Sequence, residues 1–268
     1  MTGVQTCALP ICVGADAGDD VKLYLVRHGA STGNTPGNLL GHSDHPLTRA
    51  GASQARAVAA RLAPLGPMPV YCSDLVRARE TAQHIARMWA GTSSEGRAGS
   101  SAVPVNDSRL RELSLGSYEG RSWDEYLADE DLNAAMIVDP LHTPMPGGES
   151  VAQMQERVLA AVHEIVVRHG GKEAAQQGDC GASVPLGALQ CSEASAAACV
   201  VAHDGPIRAI LNHFLGVRVD RWWALTTTHG GLSLLEWSHG WVNVRFVNEI
   251  GHLEAFPTRS VRRTGRYK

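Results

Sequence analysis

The chain has 268 residues, of which 44% are hydrophobic and 19% are charged, and its formal net charge is −3. This composition is typical of a globular protein and excludes a chain that is disordered throughout. The charge balance gives no overall basic surface for nucleic acid, and no apolar run approaches the ~20 residues needed to cross a bilayer.

Residues 1–20 differ in character from the rest of the chain. The first twelve, MTGVQTCALPIC, carry no charge, so they make a poor secretory signal. They resemble the conceptual translation of a sequencing-adapter oligonucleotide, and we interpret residues 1–20 as an artefactual leader or, alternatively, as a natural disordered one. We expect a single domain over 21–256 with a disordered insertion, rich in Gly, Ala and Ser, at about 170–197, and a basic frayed tail over 257–268.

The predicted elements alternate between strands and helices. Apolar runs predict strands over 22–26, 69–72, 199–202, 232–237 and 241–247, with extended segments at 103–105 and 110–115. Helical spacing of apolar residues predicts helices over 48–62, 73–89, 150–165 and 206–215, with caps at Thr48, at Ser73 or Asp74, and at Ser150. This order predicts an α/β fold, a three-layer α/β/α sandwich with a mostly parallel central sheet.

Three of the predicted strands are followed by polar residues. These are Arg27–His28–Gly29, Ser73–Asp74 with Arg77 just beyond, and His203–Asp204–Gly205. Because ligands bind beyond the carboxyl ends of strands in open α/β sheets, we expect two histidines and two arginines to meet at one edge. A guanidinium matches phosphoryl oxygens, and a neutral imidazole can attack phosphorus. The pattern therefore favours phosphoryl chemistry without a metal, with a structural Arg–His surface cluster as the alternative.

Six segments follow one another in a recognisable order: LYLVRHGASTGN, HPLTRAGASQA, SDLVRARETA, RLRELSLGSYEG, PGGES and VVAHDGPIRAIL. Together they resemble the successive motifs of the histidine phosphatase superfamily, over residues 22–247. The resemblance implies a phosphoglycerate-mutase-like fold, a phosphohistidine intermediate, and neither a metal nor an organic cofactor.

The resemblance also implies roles for individual residues. His28 in the RHG motif is the expected nucleophile, and Glu112 in RLREL is the expected general acid that protonates the leaving oxygen. The expected phosphate-binding residues are Arg27, Asn34, Arg77 and His203, and His203 is also expected to stabilise the transition state.

Other polar residues near these motifs receive different interpretations. Asp204 departs from the family's usual His-Gly sequence, and it is expected either to orient His203 or to face away. His229 in TTTHGG is a further residue that could approach the pocket. His42 and His45 are interpreted as solvated histidines of a substrate-side loop rather than as metal ligands. Glu119 is interpreted as structural, and Glu149 as either a pocket-rim or a structural carboxylate.

The segment that follows the acid-bearing motif bears on the reaction. After Tyr118 it continues into an acidic helix and lacks the basic residues with which phosphoglycerate mutases retain a second phosphate. We therefore expect water to be the final acceptor, which makes the protein a phosphomonoesterase of a small phosphorylated metabolite, resembling the broad-specificity and α-ribazole phosphatases. The alternatives are a phosphoglycerate mutase-type phosphotransferase and a catalytically silent module on the same fold that binds a phosphorylated ligand.

We expect neither nucleic acid nor membrane as a partner, and a monomer or homodimer. The six cysteines contain no Cys-X-X-Cys pair, so neither a zinc site nor a disulfide scaffold is expected. A cytoplasmic location is expected, or an organelle if a targeting peptide is missing from the doubtful N-terminus.

Overall fold

The computed structural model describes residues 20–35, 37–90, 103–170, 196–238 and 241–253. The expected leader, most of the expected insertion at about 170–197 and the expected tail over 257–268 lie outside these residues. In chain order the strands are β1 (Val21–Arg27), β2 (Val70–Cys72), β3 (Val105–Asn106), β4 (Ala196–Ala202), β5 (Leu232–Ser238) and β6 (Trp241–Glu249). The α-helices are α1 (Arg49–Leu62), α2 (Val76–Ala90), α3 (Trp123–Leu127), α4 (Glu130–Val138), α5 (Val151–His169) and α6 (Asp204–Leu215).

The strands of the described residues form one six-stranded sheet in the order β3-β2-β4-β1-β5-β6. The first four strands in this order pair in parallel, whereas β5 pairs antiparallel with both β1 and β6. The helices α1 and α2 cover one face, and α5 and α6 cover the other. The predicted α/β sandwich with a mostly parallel sheet is confirmed.

Strand β1 is buried on both faces of the sheet. Leu23 and Leu25 pack with α5 and α6, whereas Tyr24 and Val26 pack with α1 and α2. Side chains alternate along a strand, so two covered faces require an uninterrupted apolar run. This explains why β1 stands out so clearly in the sequence.

Two of the predicted helix caps are confirmed. Thr48 accepts a hydrogen bond from the N–H of Gly51 at the start of α1. Ser150 begins α5 with a capping box, in which the Gln153 side chain returns a hydrogen bond to the Ser150 N–H. Each cap satisfies backbone donors that a helix start leaves free.

The predicted cap of α2 at Ser73 or Asp74 is wrong. The helix begins at Val76, whose N–H donates to Oδ1 of Asp44 over 2.7 Å. The Asp74 carboxylate instead accepts from Nε and Nη2 of Arg111, at 2.7 and 2.6 Å. A carboxylate from a distant loop has therefore taken the place of a local cap.

The two predicted extended segments and the acidic helix have different outcomes. The first extended segment contributes the short edge strand β3, whereas residues 110–115 pair with no strand of the described chain. The acidic segment forms two short helices, α3 and α4, instead of one. Asp129 separates them, because its side chain accepts the Leu132 N–H and begins α4 there. No helix among the described residues is both long and apolar enough to span a membrane.

Candidate active site

The carboxyl ends of β1, β2 and β4 lie side by side and bring polar residues together. The His28 N–H donates to the carbonyl of Ala202 over 3.0 Å, and the Ser73 N–H donates to that of Val201 over 3.0 Å. The rings of His28 and His203 consequently stand with their centroids 4.9 Å apart. The predicted meeting of these strand ends is thus observed.

The His28 ring is 2% exposed and held in one tautomer. Its Nδ1 lies 2.7 Å from the carbonyl of Gly29. A carbonyl oxygen only accepts, so Nδ1 carries the proton and Nε2 keeps its lone pair. Burial, followed by the neighbouring His203 and His229, holds the pKa of His28 well below its usual range. The ring is therefore neutral and can act as a nucleophile.

His203 is oriented by Ser73. Its Nε2 lies 2.8 Å from Oγ of Ser73, and that hydroxyl also accepts the N–H of Leu75 over 3.3 Å. The hydroxyl can donate to Nε2, and in that arrangement the imidazole proton is on Nδ1. Burial lowers the pKa of His203, followed in effect by Arg77 and Arg27. This Nδ1 is buried and has no hydrogen-bond partner within the described residues.

The two arginines are anchored to backbone carbonyls through their terminal Nη groups. Arg27 donates from Nη1 to the carbonyl of Thr227 over 2.7 Å. Arg77, only 1% exposed, donates to the carbonyls of Ser43 at 2.8 Å and Gly41 at 2.9 Å. In the described part of the chain, the Nε of each arginine is buried without a partner. A buried donor without an acceptor destabilises the folded state unless a ligand accepts a hydrogen bond from it.

His229 is the residue whose position the sequence indicated least clearly. Its ring centroid lies 5.3 Å from that of His28, and its Nε2 is buried with no partner among the described residues. It precedes β5, which runs antiparallel to β1, so the start of β5 lies at the same edge as the end of β1. The antiparallel pairing of β5 with β1 is the feature from which the position of His229 near His28 could have been predicted.

Glu112 lies on the irregular segment that follows Leu110, and its carboxyl group is held by two backbone N–H groups. Its Oε1 accepts from the N–H groups of Gly205 and Leu113, each over 3.0 Å. Burial raises the pKa of Glu112, and the nearby Asp204 carboxylate adds to the increase, while the Leu113 hydrogen bond opposes it. A raised pKa favours the protonated form that a general acid requires.

Arg157 on α5 fixes the segment that carries Glu112, and sequence reasoning did not identify it. Its Nη1 donates to the carbonyls of Arg109 and Arg111, at 2.6 and 2.9 Å. Its Nη2 donates to the carbonyl of Glu112 over 2.9 Å, and Nε and Nη2 bind the carboxylate of Glu149. Of the two interpretations of Glu149, the structural one therefore matches its contacts.

Asn34 is engaged within its own turn. Its Oδ1 accepts from the N–H and from the hydroxyl of Ser31, both over 2.8 Å. Only the amide NH₂ of Asn34 is then available to donate to a phosphate oxygen. A phosphate-binding role for Asn34 stays a prediction.

The loop with His42, Asp44 and His45 is held by the site rather than solvated throughout. Nε2 of His42 lies 2.7 Å from the carbonyl of Glu112, and Asp44 begins α2. The His42 N–H and the Ser43 hydroxyl both donate to Glu119, which fits the structural interpretation of that carboxylate. The interpretation of His42 as a solvated residue is wrong, because the Glu112 carbonyl binds it.

Asp204 neither contacts the His203 ring nor faces away. Its Oδ1 accepts from the Thr227 hydroxyl over 2.5 Å and lies 3.6 Å from Nη1 of Arg27. Its Oδ2 pairs with Nη2 of Arg208 over 3.0 Å. Both alternatives considered for this residue from the sequence are wrong, because the neighbouring arginines determine its orientation.

A family model described as the histidine phosphatase superfamily (branch 1) matches residues 23–176 and 186–250. The chain belongs to this superfamily. The predicted resemblance is thereby confirmed, and the superfamily includes both phosphatases and phosphoglycerate mutase-like relatives.

Curated relatives are described as probable phosphoglycerate mutases. The GpmB protein of Serratia proteamaculans is 34% identical over 154 residues, covering 57% of this chain and 66% of that protein. The GpmB protein of an Escherichia coli strain is 36% identical over 143 residues, covering 53% and 61%. The chain thus spans less than two thirds of the length of these relatives.

Solved structures share the fold over a larger part of the chain. The YhfR protein of Bacillus stearothermophilus superimposes with a TM-score of 0.67 at 26% identity, covering 87% of this chain and 100% of that chain. A mycobacterial glucosyl-3-phosphoglycerate phosphatase superimposes with a TM-score of 0.64 at 25% identity, covering 85% of this chain and 99% of that chain. The α-ribazole phosphatase of Shigella flexneri superimposes with a TM-score of 0.64 at 20% identity, covering 85% of this chain and 96% of that chain, and this match concerns the fold alone.

Proposed function

We propose that the protein is a metal-independent phosphomonoesterase that hydrolyses a small phosphorylated metabolite through a phosphohistidine on His28. One observation carries this proposal. Four buried nitrogens near neutral His28 have no hydrogen-bond partner among the described residues: Nε of Arg27, Nε of Arg77, Nδ1 of His203 and Nε2 of His229. Polar nitrogens left without partners around a nucleophile fit the oxygens of a phosphoryl group, whose charge two guanidinium groups can neutralise.

In the first step, Nε2 of His28 attacks phosphorus while the bond from phosphorus to the leaving oxygen breaks. Arg27, Arg77 and His203 donate to the phosphoryl oxygens, on which negative charge is spread in the transition state. Glu112 transfers its proton to the leaving oxygen, which departs as an alcohol. Proton transfer by a positioned acid contributes about 10²–10⁴-fold to such a step.

In the second step, water attacks the phosphorus of the phosphohistidine. Glu112, now a carboxylate, accepts a proton from the water as the N–P bond breaks. The products are inorganic phosphate and neutral His28, and Glu112 is again protonated. Each group thereby returns to its starting protonation state after one turnover.

Water is favoured over a second phosphorylated substrate by the charges of the part of the chain that follows Tyr118 and precedes α5. Between Gly120 and Glu149 the sequence has one Lys or Arg, which is Arg121. The same stretch contains the acidic residues Asp124, Glu125, Asp129, Glu130, Asp131 and Asp139. An acidic segment repels a phosphorylated acceptor, which supports a phosphatase. The curated relatives described as probable phosphoglycerate mutases keep a mutase-type phosphotransferase as the second candidate.

The test is phosphate release from p-nitrophenyl phosphate and from a panel of sugar phosphates and phosphoglycerates, in the presence of EDTA. We expect turnover by the wild type and a loss of at least about 10³-fold in His28→Asn, as for removal of a nucleophile. His213→Asn changes a half-buried histidine of α6 and serves as the matched control with an unchanged rate. Full activity of His28→Asn would exclude the proposed mechanism.

Two further readouts separate the alternatives. A reaction stopped in alkali, where a phosphoramidate survives, should show one added phosphoryl group by intact mass in the wild type but not in His28→Asn. Isomerisation of phosphoglycerate with little free phosphate would instead favour the mutase. Binding of phosphate without turnover of any ester would favour a binding module.

We also infer a cytoplasmic location and a monomeric or homodimeric state. Cys72 and Cys199 are free, buried thiols, which is consistent with a reducing compartment. Cell fractionation and size-exclusion chromatography with light scattering would test the two inferences.

A further inference from the structure

Asp204 is an acidic residue beside a pocket that is otherwise built to bind an anion. It is the first residue of α6 and directly follows His203. A carboxylate at this place repels a phosphate, so its presence requires a compensating interaction. Its contacts with three neighbouring side chains supply one.

The first contacts link Asp204 to Arg27 through Thr227. The Thr227 hydroxyl donates to Oδ1 of Asp204 over 2.5 Å, and the carbonyl of the same Thr227 accepts from Nη1 of Arg27 over 2.7 Å. Oδ1 of Asp204 also lies 3.6 Å from this Nη1. Nη1 is thus held between a carbonyl and a carboxylate, and the buried Nε on the other part of the guanidinium faces no partner in the described residues.

The second contact holds the other carboxylate oxygen of Asp204. Its Oδ2 pairs with Nη2 of Arg208 over 3.0 Å, one turn along α6. The guanidinium of Arg208 in turn stacks over the Trp223 ring, 4.8 Å from the ring centroid, and the Arg208 side chain is 4% exposed. With Arg27 and Arg208 both beside one carboxylate, the local charge remains positive.

We propose that Asp204 is a positioning residue that, with Thr227, orients the Arg27 guanidinium so that its Nε–H is directed to the phosphoryl group. This inference rests on the proposed function, because it assigns a role within the same phosphate site. Asp204 touches neither the substrate nor the nucleophile in this role. It acts through Arg27.

The sign of one measurement separates this role from a simple charge effect. Asp204→Asn keeps the size of the side chain and removes its negative charge. If Asp204 acted only as a nearby negative charge, its removal would strengthen binding of inorganic phosphate. If it positions Arg27, binding of inorganic phosphate weakens in spite of the lost repulsion, by about tenfold for one misdirected charge-assisted hydrogen bond.

Inorganic phosphate is titrated by calorimetry into wild type, Asp204→Asn, Thr227→Val and the double variant, with Glu164→Gln on α5 as a control. We expect weaker binding in both single variants and an unchanged constant in Glu164→Gln. Because both residues act on one guanidinium, the double variant should lose much less than the product of the two single effects. Equal or tighter binding by Asp204→Asn, or fully multiplicative losses, overturns the proposal. If Asp204→Asn does not fold, Thr227→Val decides alone, since its unchanged affinity overturns the proposal too.

The pH profile adds a readout that a purely structural role does not move. The charged side chains around Glu112 are Asp204 on α6, Arg27 at the end of β1 and Arg77 on α2, while His42 and Arg157 bind its carbonyl. Removing the Asp204 charge shifts the alkaline limb of kcat/KM to lower pH. An unmoved limb would contradict a charged Asp204 at this position. Because phosphate affinity is measured without turnover, an inactive wild type that binds phosphate would refute the phosphatase while leaving the positioning of Arg27 testable.

Discussion

Nη2 of Arg157 donates to the carbonyl oxygen of Glu112 over 2.9 Å. The same side chain binds two more carbonyls of the irregular segment, those of Arg109 and Arg111. One guanidinium on α5 thereby fixes the backbone that carries the proposed general acid, although no strand of the described residues pairs with that backbone.

Replacing Arg157 should therefore impair catalysis more than substrate binding. In Arg157→Met we expect kcat to fall about 10- to 100-fold, as a displaced acid would cause, with a smaller change in KM. Arg168→Met alters an exposed arginine on the same helix and serves as the control. Steady-state kinetics on an alkyl phosphate check this. An Arg157→Met enzyme with unchanged kcat would show that the segment keeps its conformation without the hydrogen bonds of Arg157.

Glu112→Gln should lose activity in a way that depends on the leaving group. An alkyl alcohol needs a proton to depart, so hydrolysis of an alkyl phosphate should fall about 10²–10⁴-fold. A p-nitrophenolate needs little help, so hydrolysis of p-nitrophenyl phosphate should fall far less. Rates over a series of leaving groups measure this. Equal losses across the series would assign the proton to another residue.

The activity of the wild type should decrease on the alkaline side as Glu112 loses its proton. Burial, reinforced by Asp204, raises the pKa of Glu112, so the decrease begins above the usual carboxyl range of about 4.3. In Glu112→Gln this limb should be absent. The dependence of kcat/KM on pH provides the measurement, and a limb that persists in the variant would belong to a different group.

The buried histidines should make the fold sensitive to acid. The pKa values of His28, His203 and His229 are all lowered well below the usual range, in each case chiefly by burial. The unfolded chain therefore binds more protons, and stability is full above about pH 6.5 and is lost as the pH falls below it. In that range each such histidine lowers the free energy of unfolding by up to about 1.4 kcal/mol for each unit by which the pH falls.

Urea unfolding at pH 7 and pH 5.5 tests this contribution. His229→Asn should reduce the loss of unfolding free energy between the two pH values, because one buried group no longer titrates. His163→Asn, on α5 outside the site, should leave the loss unchanged. A His229→Asn protein with the same dependence on pH as the wild type would contradict the prediction.

Gly51 is expected to tolerate no side chain. A Cβ atom there would lie 1.9 Å from the carbonyl oxygen of Ala30, which belongs to the backbone just after His28. In Gly51→Ala either α1 or this backbone must move, and we expect a loss of about 1–3 kcal/mol in unfolding free energy together with lower activity. Ala60→Ser, at an exposed position of the same helix, is the control. Wild-type stability of Gly51→Ala in urea would contradict the tight approach.

Local physical chemistry explains which elements the sequence predicts well. The apolar run of β1 follows from burial on two faces, and Thr48 and Ser150 begin their helices through hydrogen bonds within three residues. The meeting of His28 with His203 follows from parallel pairing of strands that end in polar residues. These features follow from local sequence patterns together with the general rule that the carboxyl ends of parallel strands meet at one edge of a sheet.

The features that were missed depend on tertiary contacts. The cap of α2 comes from Asp44, because Arg111 engages the nearer Asp74. The segment after Leu110 satisfies its carbonyls with Arg157 instead of a neighbouring strand. Asp204 turns to Arg208, one turn along α6, and to Arg27, which the pairing of β1 with β4 brings beside it. Apart from the spacing of Asp204 and Arg208 within α6, no local pattern encodes these pairings.

The loop from Gly41 to Asp44 holds both the Arg77 guanidinium and the start of the helix that carries it. Two of its carbonyls hold Arg77, and its aspartate begins the helix on which Arg77 lies. Inserting or deleting a residue here would displace the carbonyls that hold Arg77, the carboxylate that begins its helix, or both. This loop should therefore keep one length among functional relatives, and natural variation in chain length should accumulate elsewhere, as surface loops normally allow.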